Sequence, residues 1–206
     1  MPPGLNSPQR ASTAVAHPET TGIGRRTGPR GSVRPGRSGF RLFASGSGAF
    51  ALRGQMADSA QRTLDVQYFI FKDDDTGKLL MSAMLRAASR GVRVRVLMDD
   101  TEARGQDDRV VLLAGYPNIE VRLYHPYYYR GPITLLRGAE FVLTMNRLDY
   151  RMHNKLFVVD NAIGVVGGRN VGDEYFDTGD EPQFGDYDVI AIGPTVRDPS
   201  RSFAAH

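Results

Sequence analysis

The amino-acid sequence predicts an α/β fold, with a mixed and largely parallel sheet flanked by helices. Two observations lead to this prediction. From Phe40 onward, segments with the composition of strands alternate with segments of helical periodicity, an order that implies crossover connections between parallel strands. The chain has 206 residues, of which 41% are apolar and 24% charged, a balance typical of one globular domain.

The N-terminal 37 residues differ in composition from the rest of the chain. They contain half of the 12 prolines and six arginines against the single Glu19, and they lack apolar periodicity. We therefore predict that residues 1–37 are a disordered tail and that residues 38–206 form the domain. The pI of the whole chain is basic, about 9.3, but the domain itself carries 20 basic and 22 acidic residues. Nucleic acid is therefore a less expected partner than the pI of the whole chain suggests.

The predicted elements follow one another in the order expected for crossover connections. A helix containing Phe50 and Met56 precedes a strand at 64–71. Next come a helix from Leu79 to Ala87, a strand at 92–99, a helix from Asp107 to Ala114 and a strand at 119–124. Residues 125–137 have no clear period, and helix is predicted to resume near Ala139. The acidic pair Asp99-Asp100 is interpreted as a turn or helix cap.

The stretch HPYYYRGPITLLR, residues 125–137, permits two interpretations. Its tyrosines, leucines and arginines suit the boundary of lipid head groups, and they equally suit a cover over the core or over a docked partner. No window reaches the roughly 18 apolar residues of a spanning helix. The chain has no cysteine, which leaves its compartment undecided; we expect a cytoplasmic location, with peripheral membrane association left open.

The segment RMHNKLFVVDNAIGVVGGRN, residues 151–170, contains the candidate site. His153 and Lys155 are two positions apart in a predicted strand, so both side chains point into one space. Asp160 begins a tight turn, and Gly167-Gly168 follows the returning strand, where a backbone comes close to something or turns sharply. A neutral imidazole can attack phosphorus, while an ammonium and amide donors stabilise phosphoryl oxygens. No acidic cluster adjoins the segment, so we predict no metal and no cofactor.

The spacing of these residues resembles the HKD signature of the phospholipase D superfamily. The signature consists of His153-x-Lys155, then Asp160 after four residues, then GGRN after six more. The neighbouring sequences DVQYFIF, RGVRVRVLMDD, YPNIEVRLYHP and GGRNVGDEYF look like the N-terminal half of bacterial cardiolipin synthase-like proteins. The resemblance covers about residues 40–200 and implies one half of a usual two-lobed enzyme with the phospholipase D-like fold.

The resemblance also implies a phosphatidyltransferase mechanism through a phosphohistidine intermediate. His153 would be the nucleophile or its acid/base partner, and Lys155 would hold a phosphate oxygen. Asp160 would be a structural anchor of the motif, and Asp188 would orient the histidine ring. The remaining implied phosphate-binding residues are Gly167, Gly168 and Asn170.

The chain departs from that family in having one HKD motif where its relatives have two. We therefore expect a chain truncated before its second half, and the loss of one general acid costs about 10²- to 10⁴-fold in rate. Phospholipid at a membrane surface is the expected substrate. Three hypotheses remain open: a phosphatidyltransferase completed by a second half, a homodimeric single-motif phosphodiesterase or nuclease, and an inactive fragment.

Overall fold

The computed structural model describes residues 13–28, 36–100, 107–127, 129, 134–143, 151–180 and 182–202. Its helices are α1 Gly22–Thr27, α2 Gly46–Ser59, α3 Asp75–Ser89, α4 Asp107–Ala114, α5 Thr134–Leu143 and α6 Arg197–Ser202. Its strands are β1 Gly39–Phe43, β2 Thr63–Tyr68, β3 Arg93–Asp99, β4 Ile119–Tyr124, β5 Leu156–Val159, β6 Ile163–Gly167 and β7 Asp188–Ile192. Short 3-10 helices lie at Pro18–Thr20, Asp173–Tyr175 and Pro194–Val196.

The described strands form a seven-stranded sheet in the order β1-β7-β6-β5-β2-β3-β4. The mixed α/β fold is thus confirmed, but the sheet is less parallel than predicted. Only β2, β3 and β4 run parallel, while the other four neighbouring pairs are antiparallel. The β5–β6 pair is antiparallel because its connection has only three residues, 160–162, which is too short for the crossover that parallel strands need.

The main core lies between the sheet and the α2–α3 pair. Apolar side chains at alternate positions of β2, β3 and β5 face these helices, and the main contributors are Leu64, Val66, Val94, Val96, Phe157, Val159, Met56, Leu80 and Met84. Asp74 is the N-cap residue of helix α3, and its side chain accepts a hydrogen bond from the Gly77 N–H. The opposite face of β5 carries Leu156 and Val158, which pack with Ala191 and Val196.

The structure differs from the prediction of a disordered tail at residues 13–28, which pack on the domain. Helix α1 is capped by Thr21, which accepts from the Gly24 N–H at 3.0 Å, and Ile23 contacts the main core. The Gly22 N–H donates to Gln61 at 2.7 Å, and the Asn161 side chain donates to the Val15 carbonyl at 2.9 Å. Because this packing uses Ile23 and scattered polar groups, it produces no periodic sequence pattern from which it could be predicted. Residues 1–12 and 29–35 lie outside the described residues.

The predicted helices and strands between residues 46 and 124 are confirmed, with shifts of a few residues at their ends. Helix α5 confirms that helix resumes near Ala139. Residues 128 and 130–133 of the stretch 125–137 lie outside the described residues. Within the described ranges, no helix combines the length and the apolar character needed to cross a bilayer.

Candidate active site

The predicted pair His153 and Lys155 lies just before β5, at one end of the sheet. Strand β5 is antiparallel to β2, with Leu156 paired to Gln67, so the residues before β5 lie where β2 and β3 end. Lys155 Nζ is 3.3 Å from His153 Nδ1 and donates to the His153 carbonyl at 2.9 Å. The prediction that both side chains share one space is confirmed. His153 is exposed and Lys155 half-buried, so the pair is open to a ligand.

Phe69, which the sequence analysis did not single out, forms a wall behind this pair. Its ring centroid is 4.5 Å from that of His153 at an interplanar angle of 32°, and Lys155 Nζ lies 5.5 Å from the same centroid. Burial lowers the pKa of the Lys155 ammonium below its ordinary value, and the charge of Asp186 opposes part of this shift. The sequence signal that could have identified Phe69 is its position as an aromatic residue directly after a buried strand.

Asp99, interpreted from sequence as a turn or cap, holds the chain next to His153. It is fully buried at the end of β3 and accepts from the Met152 N–H at 3.2 Å. Arg151 Nη1 lies 3.4 Å from the same carboxylate, and Arg151 Nη2 donates to the Tyr127 hydroxyl at 3.2 Å. The backbone that enters the HKD segment is therefore tied to the end of a parallel strand.

Asp160 is a structural anchor at the other end of β5. Its carboxylate is fully buried and accepts from the backbone N–H groups of Gln61, Arg62 and Thr63, the shortest bond being 2.7 Å. Asp160 and Asn161 both have positive φ, 52° and 55°, and the Ala162 N–H closes the turn on the Val159 carbonyl at 3.0 Å, as in a tight hairpin turn. Lys155 and Asp160 are five positions apart along an extended chain, about 16 Å, so Asp160 does not contact the same ligand.

The glycines Gly167 and Gly168 permit a close approach, as predicted, but to carboxylates of the chain itself. A β-carbon at Gly167 would overlap Asp188, and one at Gly168 would overlap Asp186. The Gly168 N–H donates to the Tyr187 carbonyl at 3.1 Å, and the Gly167 N–H to the Lys155 carbonyl at 3.4 Å. Both amides, predicted to bind phosphate, are thus paired within the protein in this structure.

Asn170, also predicted to bind phosphate, is buried and has protein partners at both ends of its amide. Its Oδ1 accepts from the Ile70 N–H at 3.1 Å, and its Nδ2 donates to the Tyr175 hydroxyl at 3.0 Å. Asn170 thereby fixes the backbone next to Phe69. The Nδ2 group has two N–H donors, and the Tyr175 hydroxyl accepts from one of them.

Asp188, which was predicted to orient the His153 ring, is paired in the structure with two arginines. Its side chain is 1% exposed, and Oδ2 lies 3.0 Å from Arg53 Nη1 and 3.4 Å from Arg169 Nη1. Two buried guanidinium groups need a counter-charge, and Asp188 supplies it. Asp186, two residues earlier and half-buried, is the carboxylate whose charge acts on Lys155.

The sequence places Arg147, Arg151 and Arg169 in or near the HKD segment, and a basic cluster of these residues would favour the nuclease hypothesis. Arg169, one of three arginines that would favour a nuclease, is 2% exposed and donates to the carbonyls of Tyr175, Phe43 and Ala44. Arg151 is bound to Asp99, and Arg147 lies outside the described residues. Arg169 is therefore part of the support beneath the site rather than a surface cation.

The sequence matches a known family over most of the domain. Residues 54–189 match the family described as "Cardiolipin synthase, PLD-like domain", and the chain belongs to this family. It is 49% identical over 178 residues to cardiolipin synthase C of Escherichia coli (strain K12), covering 86% of this chain and 37% of that protein. It is 37% identical over 126 residues to the major cardiolipin synthase ClsA of Bacillus subtilis (strain 168), covering 61% and 23%. The chain thus spans about a third of these relatives or less.

Solved structures show the same fold at low sequence identity. A phosphatidylserine synthase from Haemophilus influenzae Rd KW20 gives a TM-score of 0.61 at 13% identity, covering 81% of this chain and 36% of that one. NucT from Helicobacter pylori gives 0.58 at 15% identity, covering 82% and 94%. Nuc from Salmonella typhimurium, a phospholipase D family member, gives 0.54 at 18% identity, covering 82% and 91%. These structures confirm the phospholipase D-like fold.

Proposed function

We propose that this chain carries the nucleophilic half of a cardiolipin synthase-like phosphatidyltransferase, with His153 as the nucleophile. The observation that supports it best is the imidazole and ammonium 3.3 Å apart at an open end of the sheet. The family match and the identity to cardiolipin synthase C favour a phosphatidyl substrate over other phosphodiesters.

Lys155 has two roles in the proposed reaction. An ammonium can only donate, so a neutral His153 ring that accepts from it at Nδ1 carries its proton on Nε2. A bound phosphate would draw the ammonium to a phosphoryl oxygen and free Nδ1. The neutral ring then gives its Nε2 proton to water and takes a proton from water at Nδ1, and we assign Asp186 to accept a hydrogen bond from that Nδ1–H, which leaves the Nε2 lone pair for attack.

The proposed transfer proceeds in two displacements. In the first, His153 Nε2 forms a bond to phosphorus while the phosphorus–oxygen bond to the leaving alcohol breaks. In the second, the hydroxyl of an acceptor alcohol attacks phosphorus and the phosphorus–nitrogen bond breaks, so the phosphatidyl group has moved from one alcohol to another. Lys155 stabilises the charge on the phosphoryl oxygens in both steps.

The leaving alkoxide takes a proton, so the proposal includes a second acid opposite His153. A second copy of this chain would bring its own His153 to a shared site, and a longer protein would bring the acid from its remaining residues. The two arrangements differ in the oligomeric state of the active species, which light scattering at the assay concentration measures.

The test is capture of the covalent intermediate on the full chain. After incubation with vesicles containing phosphatidylglycerol and rapid quenching, intact-mass spectrometry should show a phosphatidyl adduct. His153→Ala should abolish the adduct and lower product formation more than about 10³-fold. The matched control is His125→Ala, because His125 stacks on Tyr124 with ring centroids 4.1 Å apart and lies three strands away, about 14 Å.

Two results would contradict the proposal. An adduct of unchanged yield in His153→Ala would exclude this nucleophile. Equal losses in His153→Ala and His125→Ala, with both variants folded by circular dichroism, would show that the assay reports a general disturbance of this end of the sheet.

A further inference from the structure

The aromatic ring of Phe69 is in contact with both members of the reactive pair. Its centroid lies 4.5 Å from that of the His153 imidazole, with an interplanar angle of 32°, a separation at which two aromatic rings attract each other. Lys155 Nζ lies over the Phe69 ring, 5.5 Å from its centroid, within the range of a cation–π contact. Phe69 is half-buried and His153 is exposed, so Phe69 supports the imidazole from one side and leaves it accessible.

The position of Phe69 is fixed by hydrogen bonds on its C-terminal side. The Ile70 N–H donates to Asn170 Oδ1 at 3.1 Å, and the Ile70 carbonyl accepts from the Val171 N–H at 3.1 Å. The Lys72 N–H donates to the Val171 carbonyl at 2.9 Å. The chain after Phe69 is thus paired to the segment after β6, so the ring does not depend on a substrate for its position.

The His153 imidazole has one hydrogen bond to the protein, and the proposed reaction removes it. Within the described part of the chain, the ring bonds only to Lys155, whose Nζ lies 3.3 Å from Nδ1. In the proposed reaction this contact ends when the ammonium moves to a phosphoryl oxygen. The stack on Phe69 uses neither a proton nor a lone pair of the imidazole. It therefore persists while the hydrogen bonds of the ring are exchanged.

The imidazole also acquires a positive charge in the first displacement. The Nε2 lone pair forms the bond to phosphorus, the leaving alkoxide takes the electron pair of the broken phosphorus–oxygen bond, and Nδ1 keeps its proton. The ring of the phosphohistidine therefore carries one positive charge more than the neutral imidazole. The face of a phenyl ring is the negative part of its quadrupole and attracts a cation that lies against it.

We infer that Phe69 is a positioning residue for the nucleophile: its ring fixes the plane of the His153 imidazole, and its π face stabilises the charge that forms on this imidazole during transfer. The inference rests on the proposed function, because the charge arises only if His153 attacks phosphorus. The charge is absent from the neutral ground state. Its stabilisation therefore raises the rate of transfer rather than the affinity for the substrate.

The contact itself is tested by NMR of the full chain with isotope-labelled histidine. Phe69→Leu removes the ring current and should shift the ring-proton resonances of His153, whereas Phe69→Tyr should leave them close to their original positions. Phe71→Leu is the matched control, because Phe71 lies two positions further along and packs against Tyr68, with ring centroids 6.3 Å apart. Unchanged His153 resonances in Phe69→Leu, or equal shifts in Phe71→Leu, would overturn the inference.

The effect on transfer is tested by the rate at which the phosphatidyl adduct forms with vesicles containing phosphatidylglycerol. Phe69→Leu should lower the maximal rate by roughly 3- to 30-fold, the factor that one cation–π contact contributes, with little change in the lipid concentration that gives half the maximal rate. Phe69→Tyr should restore the rate, and Phe71→Leu, verified as folded by circular dichroism, should retain it. A loss that appears only in the half-maximal lipid concentration would contradict the inference.

Fluorinated phenylalanines at position 69 separate charge stabilisation from packing. Mono-, di- and trifluorophenylalanine nearly keep the shape of the ring but progressively weaken the negative potential of its face. The rate of adduct formation should fall stepwise along this series, and a constant rate would overturn the inference. Absence of an adduct in the unaltered chain would refute the proposed function, whereas an adduct whose rate is the same in Phe69→Leu would refute only the role of Phe69.

Discussion

The two ends of the β5–β6 hairpin carry the two halves of one sequence motif and have opposite physical characters. At the turn, Asp160 is fully buried and its oxygens accept three backbone N–H groups. At the open end, His153 is exposed and Lys155 is half-buried against Phe69. Within one motif, Asp160 therefore anchors the hairpin, whereas His153 and Lys155 form a reactive pair at the accessible end.

The open end of the hairpin has an outer and an inner layer of ionisable side chains. The outer layer is His153, Lys155 and Asp186, all partly accessible. The inner layer is Asp188 with Arg53 and Arg169, each 1–2% exposed. Only the outer layer can change partners when a ligand binds, because removing a partner from the inner layer leaves a charge uncompensated in the interior.

The largest expected effect is the loss of the inner layer's counter-charge. Asp188→Asn should lower the free energy of unfolding by about 3–5 kcal/mol, because Arg53 and Arg169 would lose their buried carboxylate. Asp186→Asn, two residues away, should change it by less than about 1 kcal/mol. Urea denaturation of both variants measures the difference, and equal losses would refute the assignment of the two carboxylates to separate layers.

A somewhat smaller effect is expected at the turn. Asp160→Ala should destabilise the domain by about 2–4 kcal/mol, since it removes a charged acceptor from three backbone N–H groups. Asp160→Asn retains one acceptor oxygen and should lose less. His153→Ala, at the exposed end, serves as the control and should stay within about 0.5 kcal/mol of the unaltered chain. A turn variant as stable as this control would show that the carboxylate is no anchor.

The smallest effect concerns the charge of the reactive pair. Because burial lowers the pKa of Lys155 while Asp186 opposes the shift, the Lys155 ammonium should lose its proton at a lower pH than an ordinary lysine. Asp186→Asn should lower that pKa further. Carbon-detected NMR titration of the Lys155 side chain measures both values; a rise in Asp186→Asn would contradict the assigned charge contact.

The same shift fixes the sign of a pH effect on stability. Between the lowered folded-state pKa and the ordinary value, the unfolded chain binds more protons at this position than the folded chain. The contribution of Lys155 to folding stability therefore increases as the pH rises through that interval. Lys155→Met should remove this increase, which urea denaturation across the alkaline range detects.

Much of the fold could be predicted from local patterns. The α4 and β4 bounds agree with those expected, and the helix near Ala139 is present as α5, because strong periodicity is a local property. The relative direction of the strands could be predicted less well, because the antiparallel side of the sheet depends on pairing between strands that are far apart in the sequence. Residues 13–28 pack through Ile23 and scattered polar contacts, and such contacts leave no periodic trace.

The candidate site divides in the same way. Spacing placed His153 beside Lys155, and the resemblance to the HKD signature implied that Asp160 is an anchor; both relations lie within one short segment of the chain. Spacing did not identify Phe69 or Asp99, and the resemblance pointed to Asp188, whereas the carboxylate whose charge acts on Lys155 is Asp186. Each of these depends on side chains that come from separate strands.

The sequence by itself determined the family, the sheet-and-helix composition and the reactive pair, since these follow from residue types a few positions apart. The tertiary structure decided which carboxylate is buried with arginine and which remains near the ammonium, and it decided that the Phe69 ring lies against the His153 imidazole. These choices rest on burial and on charge pairing between distant segments. Both are set by how the sheet packs, and no local stretch of sequence contains them.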